Sequence, residues 1–329
     1  MNKAKLFLKN FFKIVFIIYK WTAVVIGTLT MTLVILIIMI VSAVSKSAPT
    51  PSTEKIIKQG GSNKIAVLRL NGQIMETVSG YDTSIITPAQ TSKVFRKLGA
   101  DHDVKAVVLY INSPGGAVVA TDQIYNQIME LRKSKPVIVA LGGVAASGGY
   151  YLAAAGDQIV ANPATITGSI GVIAKIPNLS ALFSKIGVNS ASIKSGQYKD
   201  MGSMERAMTT EEKAIFQSLV DDSYDLFISI IVAGRDMDEQ VVRKLADGRI
   251  YSGKQALANG LVDQLGDIDA AIDLAEKTSG VRNPTVLEYK LSSWFESFMD
   301  MSTKNLGLGA SLNNLPLQNQ SGMYYLWEY

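Results

Sequence analysis

The chain contains no cysteine. Disulfides, a thiol nucleophile and thiolate metal ligands are therefore excluded, while the compartment stays open. Histidine occurs once, as His102 in the polar stretch Ala100-Asp-His-Asp103. Multi-histidine metal sites are excluded too, and a histidine-based triad would have to use that residue. Its charged neighbours mark it as a solvated loop residue. Charge of one sign is scarce: the net charge is +4 over 329 residues, and five lysines among residues 1–20 more than account for it. Nothing in that balance argues for a nucleic-acid partner. The stretch Gly248-Arg-Ile-Tyr-Ser-Gly253-Lys254-Gln255 nearly matches a phosphate-binding loop. Gln255 replaces the magnesium-binding Ser/Thr and bulky Ile250 and Tyr251 fill the loop, so a strand, a turn and a helix start explain it better. No nucleotide and no other cofactor is expected.

Hydrophobic residues make up 48% of the chain, and the excess sits at the N-terminus. Residues 1–20 are basic, with Lys3, Lys5, Lys9, Lys13 and Lys20 and no acid; residues 21–44 carry no charge. At about 1.5 Å per residue such a helix spans the roughly 30 Å hydrocarbon core. The lysines keep residues 1–20 cytoplasmic and send the remainder across, as a single-pass protein whose folded part is extracytoplasmic. Val41-Ser42-Ala43 resembles a cleavage site, yet the apolar core is longer than a secretory one, which favours an uncleaved membrane anchor. Residues 45–62, rich in Ser, Pro, Thr, Gly and Lys, read as a solvated tether. A folded domain is expected over 63–280 and a looser extension over 281–329. That extension ends in the apolar Met323-Tyr-Tyr-Leu-Trp-Glu-Tyr329, which should dock, since solvated tails are normally polar.

Within the domain, β-like runs at 64–70, 105–111, 136–142 and 157–161 alternate with helical patterns at 88–98 and 118–132. The alternation predicts an α/β layered fold with mostly parallel strands. The longest helix is expected over 209–233, with Thr209 and Glu212 at capping-box spacing and Gly234 as its stop. Its stripe of Phe216, Leu219, Val220, Tyr224, Phe227 and Ile231 reads as core or subunit interface. Shorter helices are expected at 238–246 and 254–259.

The chemistry centres on Ala145-Ala-Ser147-Gly-Gly149, where a strand gives way to a helix. A serine there can expose its Oγ beside the unpaired amides of a first helical turn, the combination acyl transfer needs. The plain alternative is a helix-capping serine with glycines for close packing. Without a suitable histidine, the base would be a lysine whose pKa is depressed by burial or nearby positive charge. Ser192-Ile-Lys194-Ser-Gly196-Gln-Tyr-Lys199-Asp200 offers two, and composition does not choose between them.

Four segments together resemble the signal peptide peptidases of the S49 serine-peptidase family, in their short, single-repeat bacterial form. They are Asn112-Ser-Pro-Gly-Gly116, Ala145-Ala-Ser-Gly-Gly-Tyr150, Thr167-Gly-Ser-Ile-Gly-Val172 and Lys194-Ser-Gly-Gln-Tyr-Lys-Asp200. Their order and spacing match over roughly residues 64–270. The resemblance implies a Clp protease/crotonase-like fold of repeated β-β-α units behind one transmembrane helix. It implies Ser147 as nucleophile and Lys199 as general base, with an oxyanion hole from the Gly148 amide and one from Gly115 or Gly116. Ser169 would orient the lysine amine, and Lys194 would support the turn or add charge. It further implies a homo-oligomeric ring or dome, a dyad completed between adjoining subunits, and cleaved signal peptides or other unfolded, apolar peptides as substrates. The segment Met323–Tyr329 itself looks like such a peptide, and is expected to lie in a substrate groove as an extra strand and regulator. The alternatives are a crotonase-like acyl-CoA enzyme and an inactive membrane-anchored scaffold. Outward anchoring and the serine at the attacking position argue against the first, and the presence of both Ser147 and Lys199 in matching motifs argues against the second.

Overall fold

The computed structural model describes residues 13, 16, 19–22, 24–36, 39, 52–77, 85–291 and 322–326. It comprises two compact units, Met1–Thr50 and Pro51–Tyr329. In the first, helix α1 (Tyr19–Leu36) is long and apolar enough to cross a membrane. Its threonines fit that environment: Thr22, Thr28, Thr30 and Thr32 turn their hydroxyls back onto carbonyls of the preceding turn. The polar groups are thus satisfied inside the helix, as hydrocarbon requires.

The second unit opens with β1 (Ser52–Lys58), β2 (Lys64–Asn71), β3 (Gln73–Ile74) and β4 (Ile85–Ile86). Helix α2 (Pro88–Ala100) follows, started by a Thr87/Gln90 capping box and a proline in its first turn. Then come β5 (Val104–Ser113), β6 (Gly115–Ala117), α3 (Val118–Arg132), β7 (Val137–Ala146) and α4 (Gly148–Ala153). Strands β8 (Gln158–Ala161), β9 (Ile166–Gly168) and β10 (Ile173–Lys175) lead to helices α5 (Ser180–Lys185), α6 (Thr210–Arg235) and α7 (Glu239–Leu245). The remainder is β11 (Ile250–Ser252), α8 (Gly253–Ala258), β12 (Gln264–Leu265), α9 (Ile268–Ser279), β13 (Thr285–Leu291) and β14 (Gly322–Leu326).

The central sheet runs β1-β13-β2-β5-β7-β8-β12, with β9 also on β7 and β11 on β9. Its inner strands are parallel. They read as unbroken apolar runs because both faces are covered. On β2, Ala66, Leu68 and Leu70 face the larger core with α2, α3 and α4, while Ile65 and Val67 face Ala271, Ile272 and Ala275 of α9. Truncating a fully buried residue such as Leu68 to alanine would cost about 2–5 kcal/mol. A second, small sheet runs β10-β14-β6-β3-β4.

Several boundaries differ from the sequence expectation. The stretch read as a tether contains β1, which pairs antiparallel with β13, and β13 lies in the stretch read as an extension. The sheet therefore reaches beyond residues 63–280 on both sides, through a pairing whose partners lie over two hundred positions apart. Gly234 does not end α6; the helix runs to Arg235 and stops at left-handed Asp236. Gly234 instead lets the Ala154 carbonyl pack against the helix, since a Cβ there would overlap its oxygen. At 248–255, Ser252 caps α8 and Gln255 closes the capping box, a strand–turn–helix that accounts for the glutamine.

Candidate active site

Ser147 stands between the end of β7 and the start of α4, fully buried, with φ 54° and ψ −117°. A non-glycine residue is rarely held there, and such strain persists only where surrounding structure enforces it. Here the amide of Ser147 donates to the Gly168 carbonyl at 2.7 Å, and its carbonyl accepts from the Tyr151 amide at 2.9 Å. The hydroxyl makes no cap bond to α4, so the helix-capping alternative does not describe this serine.

The β5–β6 loop crosses directly over the N-terminus of α4. A Cβ on Gly148 would meet Gly115 Cα at 3.1 Å and the Gly116 amide nitrogen at 3.2 Å, and one on Gly149 would meet the Ser113 carbonyl oxygen at 2.6 Å. Gly115 sits at φ 103°, open to glycine alone without strain. Its amide donates to Ser113 Oγ at 3.1 Å. Ser147, Gly148, Gly115 and Gly116 therefore converge, as does Ser169. Ser147 and Ser169 line one cavity of about 480 Å³ with Ile173, Val220, Asp221, Tyr224 and Asp247. Ser169 is itself left-handed (φ 49°), pinned by its amide on the Arg249 carbonyl at 2.8 Å.

The two lysines lie elsewhere. Lys194 and Lys199 are exposed, on the irregular stretch between α5 and α6, and neither lines that cavity. The stretch is held by a charge network. Asp200 accepts from Lys194 Nζ at 2.7 Å and from two nitrogens of Arg206, which also grips Glu212 at the start of α6. Hydrogen bonds, first from Arg206 and then from Lys194, hold the Asp200 carboxyl well below the usual carboxylate range. Arg206 and the Thr209 amide pull Glu212 down to about 2. His102 occupies an exposed turn before β5, as expected.

The tail supplies strand β14 of the small sheet. β14 runs between β10 and β6, antiparallel to both, with Tyr325 opposite Gly116 and Leu326 opposite Gly115. A Cβ on Gly115 would overlap the Tyr325 carbonyl oxygen and stand 2.7 Å from the Gly148 amide nitrogen. The tail's backbone thus reaches the α4 N-terminus beside Ser147. The Tyr325 ring is fully buried, stacked on Tyr151 (5.1 Å between centroids) and edge-on to Phe227 (4.8 Å). The sequence reading assigned Phe227 to core or interface; it is buried, and it also walls this pocket, while Val220 and Tyr224 of the same stripe face the cavity. Residues 327–329 of the expected docking segment lie outside the described residues.

The model of peptidase family S49 matches residues 129–282, and that of Clp protease matches residues 83–166. A protein of Enterococcus faecium named signal peptide peptidase SppA is 40% identical over 255 residues, covering 74% of this chain and 73% of its own. The chain belongs to peptidase family S49. A Synechocystis protein named as a protease is 36% identical over 276 residues, 81% of this chain and 96% of that one. The chloroplastic serine protease SPPA of Arabidopsis thaliana is 35% identical over 257 residues, 77% of this chain but 38% of that longer one. The S49 chain is accordingly a serine peptidase on a Clp protease-like mixed α/β fold with a central sheet.

Proposed function

We propose that this S49 peptidase is a membrane-anchored endopeptidase in which Ser147 is the nucleophile and Lys199 the general base. The observation that carries the reading is β14. It lies through the cleft as an extended peptide, paired on both edges, with the Tyr325 carbonyl against Gly115 beside the Gly148 amide. Main-chain pairing of this kind is a general way to hold a peptide irrespective of its sequence. The Lys199 amine takes the Ser147 proton as Oγ attacks the carbonyl carbon. The tetrahedral intermediate collapses to an acyl-enzyme as the lysine returns the proton to the leaving amine, and water then repeats the sequence. The amides of Gly148 and Gly116 stabilise the oxyanion. Of the two loop glycines Gly116 is favoured, because the Gly115 amide is already engaged by Ser113. Ser169 orients the lysine amine, and Lys194 supports the loop through Asp200.

Lys199 reaches Ser147 from an adjoining subunit. Its stretch exposes Ile186, Val188, Ile193 and Tyr198, apolar surface suited to burial against a second copy. Head-to-tail repetition of that contact closes a ring or dome. The anchor at residues 21–44 holds the assembly on the membrane, basic segment in the cytoplasm and peptidase domain outside. Its substrates are remnant signal peptides and other unfolded or apolar peptides, concentrated at the same surface. The tail occupies the groove as a regulator.

The test uses the full chain in detergent micelles with a fluorogenic apolar peptide. Ser147→Ala and Lys199→Ala should each lower kcat by about 10³-fold or more, with Lys194→Ala milder and His102→Ala equal to wild type. Undiminished turnover by Lys199→Ala would remove the dyad.

A further inference from the structure

Lys199 stands in a run of tight turns. Its amide donates to the Gly196 carbonyl at 3.2 Å, the Met201 amide to the Tyr198 carbonyl at 3.1 Å, and the Ser203 amide to the Asp200 carbonyl at 3.1 Å. Such turns shape a surface stretch without setting where it sits on the protein. The side chain of the next residue, Asp200, supplies a tie of longer range. Arg206 Nε donates to Asp200 Oδ2 at 3.1 Å and Arg206 Nη2 to Oδ1 at 2.7 Å, a two-point fork that a guanidinium makes and an ammonium does not. The same guanidinium grips Glu212, Nη1 donating to Oε2 at 2.9 Å and Nη2 to Oε1. Nη1 also reaches the Ala207 carbonyl at 3.2 Å.

Glu212 is the fixed end of this line. It is buried, and its carboxylate accepts from the Thr209 amide at 2.9 Å while its own amide donates to Thr209 Oγ1 at 3.2 Å. That capping box starts α6, the helix that carries Val220 and Tyr224 into the wall of the Ser147 cavity. Arg206 thus joins the helix beside the nucleophile to the residue beside Lys199. Lys194 also donates to Asp200 Oδ1, at 2.7 Å, but it contacts no residue of α6 through that bond and so does not set the stretch against the helix.

We infer that Arg206 is a positioning residue for catalysis, given the reading of Lys199 as general base: its guanidinium holds Asp200 against the start of α6 and thereby fixes the backbone from which the Lys199 amine reaches the Ser147 hydroxyl. Proton transfer needs the base within hydrogen-bond reach, and a misplacement of about 1 Å costs on the order of 10²-fold in rate. The peptide itself is held elsewhere, between β6 and β10. Loss of Arg206 should therefore be felt in kcat and not in KM.

Initial rates of the full chain in detergent micelles, over a range of fluorogenic apolar peptide, separate the two constants. Arg206→Ala should lower kcat about 10²-fold and leave KM within about twofold. Arg206→Lys keeps the charge without the fork and should fall between that variant and wild type. In a Lys199→Ala chain no base is left to position, so adding Arg206→Ala should change the residual rate, read on an activated peptide ester, by less than about twofold. The fluorogenic peptide should bind equally to Ser147→Ala chains with and without Arg206→Ala. Wild-type kcat in Arg206→Ala or in Arg206→Lys, beside an inactive Lys199→Ala, overturns the positioning role and leaves the dyad in place. Undiminished turnover by Lys199→Ala overturns the dyad and the positioning role with it. An equal loss from Arg206→Ala in both backgrounds, or weakened peptide binding, makes Arg206 a support of the cleft as a whole and overturns its action through Lys199.

Discussion

Replacing Tyr325 by alanine isolates the tail's hold on the cleft. The ring is fully buried between Tyr151 and Phe227, and its hydroxyl is bonded to Ser223. Truncating a buried aromatic residue to alanine costs about 3–5 kcal/mol. Even about 3 kcal/mol lowers the ratio of seated to unseated tail by roughly 100-fold. If the tail is the proposed regulator, a substrate binds only when it is out, and the apparent KM is the intrinsic value divided by the open fraction. A tail seated nine-tenths of the time raises apparent KM about tenfold, and Tyr325→Ala should abolish nearly all of that increase. The kcat should not change, because a saturating substrate has already displaced the tail. Initial rates of the full chain in detergent, over a range of peptide concentration, measure both constants. A synthetic Met323–Tyr329 peptide added to the variant should restore inhibition competitively, and lose potency when its own Tyr325 is alanine. Unchanged KM and kcat would refute the regulatory reading. A fall in kcat would refute it differently, showing that the tail completes the site.

Three further outcomes are expected. Mixed Ser147→Ala and Lys199→Ala chains, allowed to exchange, should recover roughly a quarter of wild-type rate if each site joins two subunits of a closed ring; no recovery despite proven exchange excludes the shared dyad. If Ser147 attacks the Tyr325 carbonyl of the seated tail, whose strand pairs Tyr325 with Gly116, intact-mass measurement should find active chains cut after Tyr325 and Ser147→Ala chains keeping residues 326–329. The folded-state carboxyls of Asp200 and Glu212 titrate below their unfolded values of about 3.9 and 4.3, so their support of the 194–212 stretch is complete above those values and fades as pH falls toward about 2. Hydrogen-exchange protection there, taken relative to the intrinsic rate at each pH, should hold from neutral pH to about 4 and fall below it, and Arg206→Ala should lower it above about pH 4; unaltered protection in that variant would discount the network.

The sequence exposes the parts of this molecule whose signal is local. The inner strands declare themselves because a strand covered on both faces must be apolar at every position, as Ala106 to Leu109 are. Ser147 declares itself because small neighbours are needed where the β5–β6 loop packs on α4, leaving glycine at 148 and 149. Long-range pairing leaves no such trace. β1 is a charged edge strand, Glu54 bonded to Lys97, and becomes a strand only because β13 returns beside it. Phe227 falls on the same helical period whether it packs a core or walls a pocket, so periodicity alone could not separate the two uses. The apolar tail could be recognised as unfit for water, yet its destination depends on a register with Gly115–Ala117, two hundred residues earlier. That register is readable only once the loop is folded. Glycine at 115 is required by left-handed φ and also by the carbonyl that passes it, so the position that shapes the turn is the position that admits a peptide backbone to Ser147.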